Sequence, residues 1–417
     1  MKYVVKGDII YLEDRSNFKT YENGYLVVED GKIIGVFNTL DSKYSDYELK
    51  DYTNHIIIPG LTDLHLHASQ YQFRGLGSDK PLLEWLNTYA FKEECKFSNV
   101  EYHTAAYDIF IKDYIKSPST RAAIFATIDK TATSYLAKKM DEKKLIAYVG
   151  KVNMDRNSPP YLIEDTQSSI NDTEEYIKDI INLEYVKPII TPRFIPTCTD
   201  ELCKGLGLLS KKYDLRIQTH LSENDKEIEL VDSLTPDSST YLEAYKNRGL
   251  LNKDKTIMAH CVYSKDVEED LLKDVYIAHS PDSNINICSG IAPAKYYLEK
   301  GFKIALGTDI AGGNSLSMFR AITDAIRSSK MYHMYIDKDT ESLNFKDAFY
   351  MASIIGGSFF GLVGTFLPGY DADIVVLGLD KEDSLLNLSL EERLEQYVYN
   401  KAELPVYKKY IKGNEIL

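Results

Sequence analysis

Cysteine is scarce in this chain. Cys95, Cys198, Cys203, Cys261 and Cys288 are odd in number, scattered and without a C-x-x-C pair. That pattern argues against a disulfide framework or a cysteine-ligated metal and favours reduced thiols in a cytoplasmic compartment. Positive charge is also short, with 49 Lys and Arg against 63 Asp and Glu and a net charge of −14. A nucleic-acid surface needs a basic stripe for the phosphates, so that class of partner is set aside. No apolar run reaches the roughly 18 residues of a membrane span. The opening MKYVVKGDIIYLEDRSNF lacks the apolar stretch and small-residue cleavage site of a signal peptide. Internal repeats and low-complexity linkers are absent too. What remains is a soluble protein with a small, uncharged substrate, binding neither nucleic acid nor membrane.

What is present is enough for a large core. The 417 residues are 44% hydrophobic and 27% charged, suited to a barrel of about 250–300 residues plus an accessory module. Residues 1–58 read as short strands broken by turns, notably at Glu29-Asp30-Gly31, and predict antiparallel pairing. From Pro59 the pattern changes. Eight apolar runs, at 62–67, 120–128, 145–152, 186–194, 215–221, 255–262, 275–280 and 302–309, alternate with amphipathic stretches such as 171–185 and 199–213. Strands rich in Ile, Val and Ala, separated by helices, predict a parallel sheet, and eight of them close a (β/α)8 TIM-like barrel. After residue 365 the pattern returns to β. The expected architecture is a barrel over 59–365, beside a small β-sandwich domain that both termini, 1–58 and 366–417, form together.

Histidine placement carries the chemistry. His65 and His67, two apart on a strand, point the same way; alone, the pair fits satisfied or exposed histidines as well as a metal pair. Four further strands end in a titratable residue: His220, His260, His279 and Asp309. In a β/α barrel those ends converge on one mouth, which a set of merely packed histidines does not explain. His65, His67, His220 and Asp309 form a three-imidazole, one-carboxylate set suited to Zn²⁺, or to Fe²⁺, one ion per subunit. Such an ion activates a water to hydroxide. Asp309 is then also expected to take the water's proton, His260 to orient water or leaving group, and Glu223, three residues after a ligand, to act as general acid/base. Each has a plainer reading. Glu223 as a solvated carboxylate, Asp309 as a helix cap and His279 as a structural residue at the rim all stay open. His55, His103 and His333 fall outside the pattern and read as packing or surface residues.

At Pro59-Gly60-Leu61-Thr62-Asp63-Leu64-His65-Leu66-His67 the sequence resembles the amidohydrolase superfamily, from about Gly7 to Gly378. His67-Ala68-Ser69-Gln70-Tyr71, Leu82-Leu83-Glu84-Trp85-Leu86, Thr191-Pro192-Arg193-Phe194, His220-Leu221-Ser222-Glu223 and Gly307-Thr308-Asp309 make it similar to the guanine deaminases within that superfamily. The resemblance implies hydrolytic deamination of guanine to xanthine and ammonia by a metal-activated hydroxide. It makes Gln70 and Arg193 partners of the purine's polar edge, Phe194 a support for its ring and His279 a further substrate contact; barrels of this superfamily are commonly homodimers. Two departures stand out: His279-Ser280-Pro281-Asp282-Ser283-Asn284, where Cys is usual at 280 and the acid at 282 is expected to tune substrate preference, and Pro118-Ser119-Thr120-Arg121, where glycine and threonine are usual. Two alternatives compete: deamination of another amino-heterocycle (cytosine, an adenine derivative or an s-triazine), separable by a substrate panel, and a non-catalytic scaffold of the same fold, separable by metal analysis.

Overall fold

The computed structural model describes residues 1–379 and 386–417. From the N-terminal end come β1 (Lys2–Leu12), β2 (Phe18–Glu29), β3 (Lys32–Phe37) and β4 (Glu48–Pro59). The middle holds β5 (Leu61–His67), β6 (Ser119–Phe125), β7 (Ile146–Gly150), β8 (Val152–Asn153), β9 (Val186–Pro188), β10 (Thr191–Pro192), β11 (Ile217–Leu221), β12 (Thr256–His260), β13 (Tyr276–His279) and β14 (Lys303–Leu306). Near the C-terminus follow β15 (Ile374–Leu379), β16 (Lys408–Ile411) and β17 (Asn414–Glu415).

Both termini meet in one seven-stranded sheet of order β17-β16-β15-β4-β1-β2-β3. The β1–β4 pair is parallel and the others antiparallel. The expected Asp-Gly turn is there, with Asp30 and Gly31 both left-handed (φ 47° and 76°) between Glu29 and Lys32. Gly31 is required twice over, because a Cβ there would meet the Lys412 carbonyl oxygen at 2.6 Å. Where the sequence suggested a sandwich, hydrogen bonds join all seven strands into a single sheet with both faces covered. Alternation divides the faces. Val5, Ile9, Leu26, Val28, Ile374 and Val376 form one core, while Ile10, Leu12, Ile56, Ile58 and Val375 join the core of the parallel unit.

All eight anticipated parallel strands form, as two four-stranded sheets ordered β5-β6-β7-β9 and β11-β12-β13-β14. Every residue of β5 and β6 is buried, as expected when helices cover the outside of a sheet. Those helices start where capping side chains satisfy the first free N–H groups: Asp129 for Lys130–Glu142, Asp165 for Thr166–Ile180 and Thr199 for Asp200–Tyr213. Backbone hydrogen bonds also join the two sheets at both edges. Ile190 N donates to the Arg216 carbonyl and Gln218 N to that of Ile190, each at 2.9 Å. On the other side Asp309 N donates to the His65 carbonyl and His67 N to that of Ile310, each at 2.8 Å. The segment 348–361, which reads as core or interface, contributes Ala348, Phe349, Met351 and Phe359 to the core. All five cysteines are free, and no helix among the described residues is long and apolar enough to cross a membrane.

Arg121, one of the two departures, ties the parallel unit to the terminal sheet. From β6 it donates to Asp373 through Nε (2.6 Å) and an Nη (2.9 Å), and to Asp371 at 3.0 Å. The guanidinium is 4% exposed and Asp373 fully buried. Replacing it strands a buried carboxylate, which costs far more than the pair itself contributes. Arg121→Met is expected to lower unfolding stability by about 3–5 kcal/mol in denaturant titration; a loss below about 1 kcal/mol would mean that the pair is not what clamps the two units.

Candidate active site and metal centre

Four strand ends deliver the polar groups of the site. β5 aims His65 and His67 the same way, with ring centroids 5.0 Å apart. β11 delivers His220, β12 delivers His260, and Asp309 follows β14. Several exits from these strands are left-handed, at Ser222 (φ 47°), His260 (73°), Cys261 (49°) and Asp309 (46°). Each such non-glycine residue costs on the order of 1–3 kcal/mol, and such strain gathers where side chains are held for function.

The donor chemistry tests whether a cation fits. His220 Nδ1 donates to the Arg193 carbonyl at 2.7 Å, so its Nε2 carries the lone pair. That nitrogen lies 3.2 Å from His67 Nε2. Burial, reinforced by the neighbouring His65, pushes both imidazoles well below their usual pKa. A proton is therefore a poor way to relieve two facing nitrogens. Asp309 Oδ1 sits 3.1 Å from His65 Nε2 and 3.5 Å from His67 Nε2. Burial alone would raise the Asp309 carboxyl, but the His65 imidazole overrides it and holds the group well below the carboxylate range. The ligand atoms of His65, His67 and Asp309 lie within 4.8 Å of one another, as do those of His65, His220 and His260. Buried imidazole nitrogens with an ionised carboxylate are the donors a divalent zinc- or iron-type ion takes, and the residues present fit one.

Around this set, second partners fix orientation. His260 Nδ1 bonds Asn284 Oδ1 at 2.8 Å, while its Nε2 makes no hydrogen bond and faces Glu223 Oε2 at 3.5 Å. Burial raises the Glu223 carboxyl, and Ser289 Oγ donates to its Oε1 at 2.9 Å. Asp63 accepts from His65 N (3.2 Å), Thr308 N (3.0 Å) and Thr308 Oγ1 (2.5 Å). It thereby clips β5 to the segment that carries Asp309. Fully buried, its carboxyl is pushed up to about 7.

Beside these residues lies a small pocket, the kind of concave site in which small molecules bind. Gln70, Arg193, Phe194, Glu223 and His260 line it, opposite apolar Leu82, Trp85, Leu86 and Ile287. Two expectations are corrected here. His279 is buried but is not on the cavity wall. The chain turns at once into the helix Pro281–Asn286, so the cavity is met by Ile287 beyond it. Burial lowers the His279 imidazole to about 3, which makes it a neutral packing residue. Asp282 does not reach the cavity either. Its carboxylate accepts from Asn314 N (2.9 Å) and Asn286 Nδ2 (3.2 Å) and shapes the loop after Asp309. His55, His103 and His333 bond the carbonyls of Leu377, Phe97 and Thr340, away from the site. Glu94, Asp63 and Ser289 had no role in the sequence reading. Glu94, 4% exposed, accepts from Gln70 Nε2 at 2.8 Å and from an Arg193 Nη at 2.6 Å.

The amidohydrolase family model matches residues 56–416, which spans every residue of the site. The chain belongs to the amidohydrolase family. Among relatives, this amidohydrolase is 34% identical to the guanine deaminase of Dictyostelium discoideum, over 99% of this chain and 97% of that one. It is 35% identical to the guanine deaminase of Homo sapiens, over 89% and 85% of the two chains. Among solved structures it superposes on guanine deaminase from C. acetobutylicum with bound guanine in the active site, at a TM-score of 0.97, with 45% identity and both chains fully covered.

Replacing His67 by Ala should lower the divalent metal bound per chain, read by elemental analysis after dialysis, by about tenfold or more while the circular dichroism stays native. Undiminished metal content in that variant would remove His67 from the ligand set.

Proposed function

We propose that this amidohydrolase is a guanine deaminase, converting guanine and water to xanthine and ammonia. The observation that carries the reading is one small pocket whose wall brings the donor-bearing Gln70 and Arg193 together with His67, His220 and Asp309. The likeness to the enzyme from C. acetobutylicum, solved with guanine bound, supports the same substrate.

The roles follow from the geometry. The amide of Gln70 and the guanidinium of Arg193 present N–H donors to the carbonyl and ring nitrogens of the base, and Phe194 supports the flat ring. Held by that edge, the base turns C2 toward the ligand set. His65, His67, His220 and Asp309 would hold the ion, zinc, with ferrous iron accepted by the same donors. When bound, such an ion supplies Lewis acidity that makes water nucleophilic near neutral pH. Glu223, buried and steadied by Ser289, receives the proton of the attacking water and delivers it to the ring nitrogen beside C2. His260, whose Nε2 faces Glu223 Oε2 at 3.5 Å, orients the water and the departing group. As the C2–N bond breaks, the water's second proton passes from the oxygen by way of Asp309 to the exocyclic amine, which leaves as ammonia, and the oxygen stays on C2 as a carbonyl. Trp85, Leu86 and Ile287 keep bulk water from the reacting edge.

The same reading makes the eight parallel strands one closed barrel over 59–365, flanked by the terminal sheet. The hydrogen bonds from Ile190 to β11 and from Asp309 and Ile310 to β5 support closure.

Metal-loaded protein is expected to release ammonia from guanine, with xanthine followed by absorbance, and not from cytosine, adenine or an s-triazine. Glu223→Gln should keep its metal and lose kcat by about 10²-fold or more. Release of ammonia from one of the other rings and none from guanine would overturn the assignment; a nearly fully active Glu223→Gln would remove the proton shuttle.

A further inference from the structure

We infer that Glu94 is the residue that makes this pocket prefer an oxo group to an amino group on the purine's six-membered ring. It does so from behind the cavity wall, by fixing which atoms Gln70 and Arg193 present. The inference rests on the guanine-deaminase reading and adds a positioning residue to it.

Glu94 closes the short helical segment Phe91–Glu94, far in sequence from both partners, and is absent from the cavity lining. Its two oxygens are divided. Oε1 takes one N–H of Gln70 and Oε2 takes one of Arg193. The other side of the Gln70 amide is fixed as well, because its Oε1 accepts from Ala311 N at 3.1 Å. With a carboxylate at one end and a backbone N–H at the other, only one of the two amide orientations is satisfied. Flipping the amide would turn its carbonyl against a carboxylate and its NH₂ against an N–H. The orientation leaves Gln70 one spare N–H. Arg193, a five-donor group, keeps Nε and the second Nη free once Glu94 and the Met154 sulfur have engaged the first (2.6 and 3.9 Å). Its guanidinium is also braced over the Phe91 ring at 5.2 Å.

The edge offered to the base is therefore all donors. A ring carbonyl and the N7 nitrogen beside it on the five-membered ring accept from such an edge, whereas an exocyclic amine in the carbonyl's place brings donors against donors. Sites built on buried hydrogen bonds reject a mismatched group far more strongly than apolar pockets do. Arg193 also ties recognition to the ligand set, since its carbonyl accepts from His220 Nδ1. Neutralising position 94 frees the Gln70 amide to turn, and a turned amide offers a carbonyl that accepts from an amine.

The test compares wild type with Glu94→Gln, which keeps the shape and removes the charge, on guanine and on 2,6-diaminopurine, which bears an amine in place of the carbonyl and an unprotonated N1. In Glu94→Gln, KM for guanine should rise by about tenfold or more with a smaller change in kcat, and the kcat/KM preference for guanine over 2,6-diaminopurine should fall by about tenfold. Glu94→Asp, which retains the carboxylate, should recover part of that preference. Calorimetric binding of xanthine and of 2,6-diaminopurine to the same proteins gives the discrimination without turnover. An unchanged preference in Glu94→Gln, or an equal loss on both bases with lowered Tm and metal content, would overturn the inference and leave Glu94 a structural ion pair. Absence of guanine turnover in wild type would instead overturn the functional reading, with the binding ratio still deciding the role of Glu94.

Discussion

Four imidazole rings and a carboxylate packed at the mouth of a parallel sheet are the constraint on which the rest of the structure depends. Burial strips His67 and His220 of their protons, yet their Nε2 atoms face each other at 3.2 Å. Buried polar groups left unpaired are costly, so such a set persists only where a shared partner for those lone pairs is part of the design. A divalent ion would meet that requirement for His65, His67, His220 and Asp309 at once. The left-handed turns at Ser222, His260, Cys261 and Asp309 are a local cost of holding these side chains together.

Much of the surrounding polar structure exists to hold this set still. Asp63 clips the β5 backbone to Thr308, so that His65 and Asp309 cannot drift apart. Asn284 and the Arg193 carbonyl fix the rings of His260 and His220 through their Nδ1 atoms, the usual means of settling a ligand's tautomer. Arg193 belongs to two systems. Its main chain orients a ligand histidine and its side chain, with Glu94 behind it, shapes the cavity edge. A small displacement at either end is felt at the other, because packed interiors transmit strain.

The clustering of His65, His67, His220 and Asp309 was legible from sequence because period-2 spacing and strand ends are local signals. H-x-H on an apolar run and four later runs ending in His or Asp are visible without any knowledge of the fold. Glu94 was not legible. It lies in Phe91-Lys92-Glu93-Glu94, a charged stretch that looks solvated, and only tertiary packing brings it between Gln70 and Arg193. Asp63 was hidden in plain view within the β5 motif, since a backbone clip leaves no periodic trace. His279 shared the strand-end signature and is still absent from the pocket wall, which shows that the signature locates a layer and not every member of the site. Asp282 was a real departure whose consequence is loop geometry. In the terminal region the alternation predicted antiparallel strands, which form, but whether one sheet or two results depends on long-range pairing such as β4 with β15, which no local pattern encodes.

The measurement that bears most directly on the account is anomalous diffraction from crystals of the zinc-loaded protein, collected on both sides of the zinc edge. One peak per chain is expected, within about 2.0–2.2 Å of the His65, His67 and His220 nitrogens and an Asp309 oxygen. A peak elsewhere, or no peak in protein that binds guanine and turns it over, would contradict the claim that these residues exist to hold an ion.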